Sequence, residues 1–171
     1  MTVSYAQQFE DVILWRALKD VRNGAYIDIG ANDPVVDSVS LLFYEKGWRG
    51  MHVEKLREAR FDEQVLDAAV GESADEIELF SFEGTGLTTA FTNYAKQHQK
   101  AGRELTKIKV ACVPLAEIFE SFNRIHIHWL KIDVEGMEKV VVQSWGSRPA
   151  RPWIVVIEST RPNSQELAFE D

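Results

Sequence analysis

The chain has 171 residues, of which 45% are hydrophobic and 27% charged, a composition typical of a single folded domain with a substantial core. Its net charge of −8 and its scattered basic residues argue against nucleic acid or an anionic membrane as the main partner. The single cysteine, Cys112, cannot form an internal disulfide, so we expect a reducing, cytoplasmic location. We expect neither a membrane span nor a signal peptide, because no suitable apolar stretch is present.

Helical and strand-like patterns alternate through the first part of the chain. Caps and turn residues mark where these elements begin and end. In chain order we predict a helix over 5–20 capped by Ser4, a strand over 25–29, a helix from Asp37 or Ser38 to Lys46, a strand over 51–54, a short helix over 56–62 and a strand over 65–70.

The same alternation continues toward the C-terminus. We predict strands over 77–82, 107–113, 127–132 and 153–157, helices over 93–100, 114–122 and 137–145, and a flexible loop over 84–89. Strands that alternate with helices favour an α/β fold with a mostly parallel sheet and helices on both of its faces.

The first predicted strand runs into a turn of small residues. Gly30, Ala31 and Asn32 follow Asp28, and the G-x-G-x-x-G pattern of a pyrophosphate-binding turn is absent. The second predicted strand ends in Glu54, an acid suited to the two hydroxyls of a ribose. A nucleoside without a phosphate fits these features, and S-adenosylmethionine is the common cofactor of that kind.

An acid stands at or near the end of five predicted strands. In parallel sheets, ligands bind outside the carboxyl ends of the strands, so these acids are candidates for a shared site. The alternative for any one of them is a cap for the following helix, a role that Asp often fills. The five acids are Asp28, Glu54, Asp67, Asp133 and Glu158.

Five ordered blocks resemble the FkbM family of S-adenosylmethionine-dependent methyltransferases, and together they cover nearly the whole chain. The blocks are SYAQ at 4–7 with ED at 10–11, DIGANDP at 28–34, FYEKGWRG at 43–50, GTGLTT at 84–89 and LKIDVEG at 130–136. In the family the acid of the second strand is usually followed by Pro and a longer helix, whereas here Glu54 is followed by Lys55.

The resemblance implies a class I methyltransferase fold, Rossmann-like and doubly wound, in one domain over residues 1–171. Within it we expect an N-terminal helix in residues 1–22, a cofactor half over about 23–90 and an acceptor half over about 91–171. We also expect the final strand pair to be absent or shortened, and a second copy of the chain could cover the exposed sheet edge. The implied activity is O-methylation of a sugar, a glycan or a secondary metabolite.

The resemblance assigns a cofactor role to residues at or near the ends of the first three predicted strands. Asp28 and Asn32 would orient the methionine end, Gly30 would let the backbone approach closely, and Glu54 would take the ribose hydroxyls. The predicted cofactor-binding residues are Asp28, Gly30, Ala31, Asn32, Glu54, Asp67 and Ala68, the last two beside the adenine.

Asp133 and Glu135 are the predicted catalytic residues, because a hydroxyl nucleophile needs a base or a strong acceptor. Their alternative role is helix capping and a salt bridge with a nearby lysine. These carboxylates could also ligate Mg²⁺, although no third ligand is evident and we predict no metal site. The predicted acceptor-binding residues are Thr85, Thr88, Glu158 and Arg161.

Two other functions compete with methyl transfer. A nicotinamide-dependent oxidoreductase can use a similar sheet, but the missing glycine pattern and the lack of an evident catalytic Tyr-x-x-x-Lys count against it. A non-catalytic binding or scaffolding domain could keep the same fold without turnover. Cofactor binding separates the first alternative from a methyltransferase, and product formation separates the second.

Overall fold

The computed structural model describes residues 3–31, 33–53, 60–82, 88–89, 99, 104–122, 124–134, 136–147 and 149–158, with the backbone alone at 82, 88 and 89. The contacts of the chain divide it into two compact units. Unit 1 comprises residues 1–67, 119–132 and 149–156, and unit 2 comprises residues 68–118, 133–148 and 157–171.

Four helices and nine strands are assigned within the described residues. The helices are α1 (Glu10–Leu18), α2 (Leu41–Glu45), α3 (Leu115–Ser121) and α4 (Glu138–Gln143). The strands are β1 (Ala25–Ile29), β2 (Arg49–Val53), β3 (Gln64–Leu66), β4 (Ala69–Val70), β5 (Asp75–Phe82), β6 (Thr88–Thr89), β7 (Leu105–Val113), β8 (Trp129–Ile132) and β9 (Ile154–Ile157).

Unit 1 contains a five-stranded parallel sheet in the order β3-β2-β1-β8-β9. β1 lies at its centre and all five of its residues are buried, as expected for a strand covered on both faces. The order and direction of these strands confirm the predicted Rossmann-like α/β fold. Because the strands are parallel, their carboxyl ends lie along one edge of the sheet.

Aromatic side chains form the core on one face of this sheet. The rings of Tyr26 and Trp129, on adjacent strands, stack with centroids 4.5 Å apart. Phe43 of α2 packs against both of these rings and against Trp48. Leu14 and other buried side chains of α1 complete the same cluster. Offset and edge-on ring contacts add to the free energy gained from burial alone, so this face is held rigidly.

Unit 2 contains a four-stranded sheet in the order β4-β7-β5-β6. β5 and β7 pair antiparallel over eight residues, whereas β4 pairs parallel with the end of β7. The predicted half-exposed strand over 77–82 is therefore part of a separate sheet. In the same unit, Ser144 also joins two helices, since its hydroxyl accepts a hydrogen bond from Leu115 N and its carbonyl accepts one from Ala116 N.

The first two helices begin later than predicted. Ser4 does not cap α1, because its hydroxyl donates to the buried side chain of Asp11, which also accepts from Tyr5 N. Neither predicted cap of α2 is correct. Ser38 Oγ accepts a hydrogen bond from Arg60, and Asp37 adopts a left-handed backbone with φ of 56°. The hydroxyls of Ser4 and Ser38 are thus engaged in tertiary hydrogen bonds and do not cap a helix.

The predicted strand over 65–70 was wrong as a single element. Its first part is β3, which pairs with β2, and its last part is β4, which pairs with β7 in the other sheet. Residues 60–62 are not helical, and the rest of the predicted helix over 56–62 lies outside the described residues. The predicted loop over 84–89 and the helix over 93–100 lie outside them almost entirely.

We predict that Gly50→Ala destabilises the protein by about 3 kcal/mol or more. A Cβ at this position would overlap the ring of Tyr26, and that ring cannot move away because Trp129 stacks on it. Gly47→Ala is the matched control, since a Cβ there meets no atom within 4 Å and only its φ of +84° opposes the substitution. It should lose about 1–2 kcal/mol. Urea unfolding of both variants checks this, and equal losses would contradict the steric argument.

Candidate active site

Three ionisable side chains lie in one row across adjacent strands of the parallel sheet. The register pairs Asp28 of β1 with His52 of β2 and with Lys131 of β8. Asp28 Oδ1 lies 3.7 Å from Lys131 Nζ, and Asp28 Oδ2 lies 4.0 Å from His52 Nδ1. The exposed fractions of these side chains are 2% for Asp28, 0% for His52 and 11% for Lys131. A buried carboxylate thus stands between two groups that can carry positive charge.

Two atoms of this row, one on Asp28 and one on His52, have no hydrogen-bond partner within the described residues. There, Asp28 Oδ1 and His52 Nδ1 are both buried without a hydrogen-bond partner. Leaving a buried polar atom unpaired costs about 1–3 kcal/mol, so such atoms are expected to meet a ligand or ordered water. Asp28 Oδ1 is therefore a candidate acceptor for a donor group on a ligand.

Glu63 organises a buried cluster directly below this row. Its Oε2 accepts a hydrogen bond from His52 Nε2 at 2.7 Å, and its Oε1 accepts from the Tyr26 hydroxyl at 2.6 Å. Oε1 also accepts from Gly50 N at 2.7 Å. The short contact with a carboxylate requires a hydrogen on Nε2 of His52, which leaves its Nδ1 directed toward Asp28.

The pKa of Glu63 is set by opposing effects. Burial raises it, but hydrogen bonding and charge from His52, together with hydrogen bonds from Tyr26 and Gly50, outweigh burial and place the pKa below its usual range. Burial and the adjacent Glu63 carboxylate raise the pKa of Tyr26 well above its ordinary value. Glu63 is therefore the charged acceptor of the cluster, and Tyr26 is a neutral donor.

Arg60 ties the cluster to the segment that follows β1. Its guanidinium is fully buried and lies 3.5 Å from Glu63 Oε2. It donates to the carbonyl of Pro34 at 2.8 Å and to the hydroxyls of Ser38 and Ser40 at 2.9 Å and 2.8 Å. The planar guanidinium can reach several acceptors at once, so a single side chain fixes the path of residues 34–40.

The turn after β1 has the backbone that the small residues predict. Gly30 has φ of +84°, a conformation that other residues rarely adopt, and Ala31 is buried. Asp33 Oδ1 then accepts from Val35 N and Val36 N, and these bonds lower the pKa of its carboxyl. The chain leaves the sheet two residues beyond Asp28 through this compact turn.

In unit 2, a buried carboxylate shapes the turn that follows β8. Glu138 Oε1 accepts hydrogen bonds from Val134 N at 3.0 Å and from Gly136 N at 3.1 Å. Gly136 has φ of +98°, which favours glycine at this position. Asp133 is half-buried and stands between Ile132, the last residue of β8, and this turn. Glu138 therefore holds the backbone beside a predicted catalytic residue.

Four of the remaining predicted site residues lie within the described part of the chain. Asp67 is exposed at the end of β3, and Ala68 is half-buried at the break between β3 and β4. Glu158 is half-buried directly after β9. Of Thr88 only the backbone, in β6, is described. Asn32, Glu54, Thr85, Glu135 and Arg161 lie outside the described residues.

His52, Glu63, Arg60 and Lys131 have no site role in the sequence-based prediction. Alternation along the strands shows that Tyr26 and Asp28 share a face, as do Gly50 and His52. The alternation does not reveal the register that sets His52 and Lys131 beside Asp28. Glu138 was treated only as part of a helix, because its contacts are with backbone groups that a residue pattern does not reveal.

No metal cluster is evident in the part of the chain that the structure describes. There, no group of three or more His, Cys, Asp or Glu side chains is arranged to hold an ion. In the same residues, the helices are too short or too polar to cross a bilayer.

We predict that the stability provided by Glu63 is lost in acid. A folded pKa below the ordinary value of 4.5 means that its contribution is complete above that pH and disappears as the pH falls through the folded pKa. At neutral pH, Glu63→Gln should lower the free energy of unfolding by about 1.5–3 kcal/mol. Urea unfolding at pH 7, 5, 4 and 3 should show this difference shrinking below pH 4.5.

The control for this experiment is Glu72→Gln, a substitution of an exposed acid. It should change stability little at any of the four pH values. A difference between Glu63→Gln and the parent that stays constant from pH 7 to pH 3 would contradict the assignment of Glu63 as the ionised acceptor.

We predict that Glu138→Ala destabilises the protein by about 1–3 kcal/mol, because the N–H groups of Val134 and Gly136 lose their acceptor. Glu138→Gln retains a carbonyl oxygen in the same place and should lose less than half as much. Thermal unfolding of the two variants measures the difference. Equal losses would show that the charge of Glu138, not its two hydrogen bonds, stabilises the turn.

Comparison with models of known protein families identifies the family of this chain. The family model described as the methyltransferase FkbM domain matches residues 28–170. This span begins at Asp28 and includes both Lys131 and Asp133. Comparison with curated proteins and with solved structures found no match.

Proposed function

Because this chain belongs to the FkbM methyltransferase family, we propose that it transfers the methyl group of S-adenosylmethionine to a hydroxyl oxygen. The family match covers far more than half of the chain and makes the protein a methyltransferase. The cofactor, the O-methylation and an acceptor that is a sugar, a glycan or a secondary metabolite are our proposal. When bound, S-adenosylmethionine supplies an electrophilic methyl carbon on its sulfonium.

The observation that carries the cofactor proposal is the end of β1. Asp28 presents a buried oxygen without a hydrogen-bond partner among the described residues, and Gly30 turns the backbone with φ of +84° two residues later. This combination suits a ligand with a positively charged group and a flat nucleoside. Asp28 and Asn32 would hold the methionine end, with Gly30 and Ala31 forming the close backbone approach.

The other cofactor contacts follow from positions along the same sheet edge. Glu54 comes directly after Val53, the last residue of β2, and would accept hydrogen bonds from both ribose hydroxyls. Asp67 and Ala68 come directly after β3 and would lie beside the adenine. The strand order supports both roles, because β2 and β3 are the successive neighbours of β1 on one side.

Asp133 is the proposed base, with Glu135 positioning the acceptor. Asp133 comes one residue after β8, the strand beside β1, and Glu138 fixes the backbone that follows it. A carboxylate here can accept the proton of the acceptor hydroxyl as the oxygen attacks the methyl carbon. Thr85, Thr88, Glu158 and Arg161 are the proposed acceptor contacts. Much of the rate would come from holding oxygen and carbon in line.

A second copy of the chain is the proposed protein partner. Within the described residues, β9 is the last strand in the order of the parallel sheet. Trp153 just before it and Val155 within it are exposed by 57% and 37%. An uncovered strand edge can pair with another chain. The proposal also includes a reducing, cytoplasmic location, for which the support is the single, buried and unpaired Cys112.

Calorimetric titration with S-adenosylhomocysteine tests the cofactor proposal, with NAD⁺ as the control ligand. We expect binding of S-adenosylhomocysteine with a Kd on the order of micromolar, about −8 kcal/mol, and none of NAD⁺. Binding of NAD⁺ alone would favour an oxidoreductase. Absence of binding by a folded protein would overturn the cofactor proposal.

We predict that Asp133→Asn lowers turnover by about 100-fold or more while changing the affinity for S-adenosylhomocysteine less than threefold. The amide keeps the shape of the carboxylate but cannot take the proton of the acceptor. Formation of S-adenosylhomocysteine across a panel of hydroxylated acceptors gives the rate, and calorimetry gives the affinity. Lys139→Met, at an exposed position on α4, is the control. Parent-like turnover by Asp133→Asn would remove Asp133 as the base.

A further inference from the structure

We propose that Lys131 binds the carboxylate of the cofactor's amino-acid end, so that Lys131 and Asp28 together recognise an α-amino-acid zwitterion. This inference rests on the proposed function, because S-adenosylmethionine carries an α-ammonium and an α-carboxylate on the same carbon atom. The inference adds Lys131 as a cofactor-binding residue, a role that the sequence pattern does not predict. Lys131 would select for a ligand with an intact amino-acid end.

The first argument is the geometry of the pair. Lys131 and Asp28 are register partners on adjacent parallel strands, so their side chains project from the same face at the same level. Their charged atoms are 3.7 Å apart, which is an ion pair but longer than a hydrogen bond. Two opposite charges attached to one carbon of a ligand can therefore each find a matching charge in this pair.

The second argument is that a buried carboxylate oxygen of Asp28 has no hydrogen-bond partner within the described residues. Asp28 Oδ1, the atom nearest to Lys131, makes no hydrogen bond within the described residues although it is buried. The ammonium of lysine has three N–H donors, so Lys131 can remain beside Asp28 and also donate to a carboxylate. The folded protein has already desolvated both charges, which removes part of the cost that a ligand would otherwise meet.

The third argument is that the other side of Asp28 is closed. His52 lies on the strand opposite Lys131, faces Asp28 Oδ2 at 4.0 Å, and is held by the hydrogen bond from its Nε2 to Glu63. Its side chain has no exposed surface, whereas that of Lys131 is 11% exposed. Of the three side chains in the row, Lys131 is thus the one that reaches furthest toward solvent.

Charge balance also fits a zwitterion better than a cation. Asp28 and Glu63 supply the acidic groups of this polar cluster, and Lys131, Arg60 and His52 supply the basic ones. A ligand that has only an ammonium would add a further positive charge near Lys131. An α-amino-acid end brings one charge of each sign and leaves the net charge of the buried cluster unchanged.

Three ligands that share the same nucleoside separate the two charges. S-adenosylhomocysteine has both the ammonium and the carboxylate, its decarboxylated analogue has the ammonium alone, and 5′-methylthioadenosine has neither. Calorimetry with the parent, Lys131→Met and Asp28→Asn gives nine affinities. Lys139→Met is the control for loss of a lysine, because Lys139 is exposed.

For Lys131→Met we expect about 10–100-fold weaker binding of S-adenosylhomocysteine, as for a lost charge-assisted hydrogen bond. 5′-Methylthioadenosine should bind this variant within about threefold of the parent. The decarboxylated analogue should lose no affinity, since it has no carboxylate and the nearby positive charge is gone. Asp28→Asn should instead weaken both ligands that carry the ammonium and spare 5′-methylthioadenosine. Lys131→Arg keeps the charge and should recover most of the affinity, which also tests the site if Lys131→Met does not fold.

Unchanged binding of S-adenosylhomocysteine by a folded Lys131→Met would overturn the inference. Equal losses for S-adenosylhomocysteine and 5′-methylthioadenosine would also overturn it, because Lys131 would then support the fold of the site. Failure of the parent to bind any of the three ligands is a different result, since it would refute the proposed cofactor itself.

Discussion

The register of three parallel strands is the constraint on which the candidate site depends. β1 pairs with β2 on one side and β8 on the other, and this pairing sets Asp28 level with His52 and with Lys131. One level below, the same register sets Tyr26 between Gly50 and Trp129. A shift of one residue would send these side chains to the opposite face, so the aromatic core and the charged row can only form together.

Burial of charge is the second constraint, and hydrogen bonds and ion pairs meet most of it, whereas Arg60 Nε and Asp28 Oδ1 have no hydrogen-bond partner among the described residues. Glu63 accepts hydrogen bonds from three donors, and Arg60 donates to a carbonyl and two hydroxyls. Such a network is specific because the loss of one member leaves another buried and unpaired. The network also connects separate elements, since Arg60 joins the strands to the residues that follow the Gly30 turn.

The sequence predicted the position of most elements but not how the third predicted strand is divided. β1 matches its predicted range, because a short, mostly apolar run that ends in a turn of small residues is typical of a buried strand. The strand over 65–70 divides between two sheets, and the break falls at Asp67 and Ala68, between β3 and β4. The caps of α1 and α2 were wrong because Ser4 donates to Asp11, 7 residues away, and Ser38 accepts from Arg60, 22 residues away.

The sequence by itself determined the family and the parallel α/β fold, and it predicted a cofactor role for Asp28 and Gly30, because these depend on short-range patterns and on ordered blocks. Only the tertiary structure decided which side chains surround Asp28. His52 and Lys131 lie 24 and 103 positions away from it along the chain, and Glu63 acts through His52. The physical reason is that strand pairing forms from backbone hydrogen bonds, which are alike for all residues, so the register is set by the packing of the whole core.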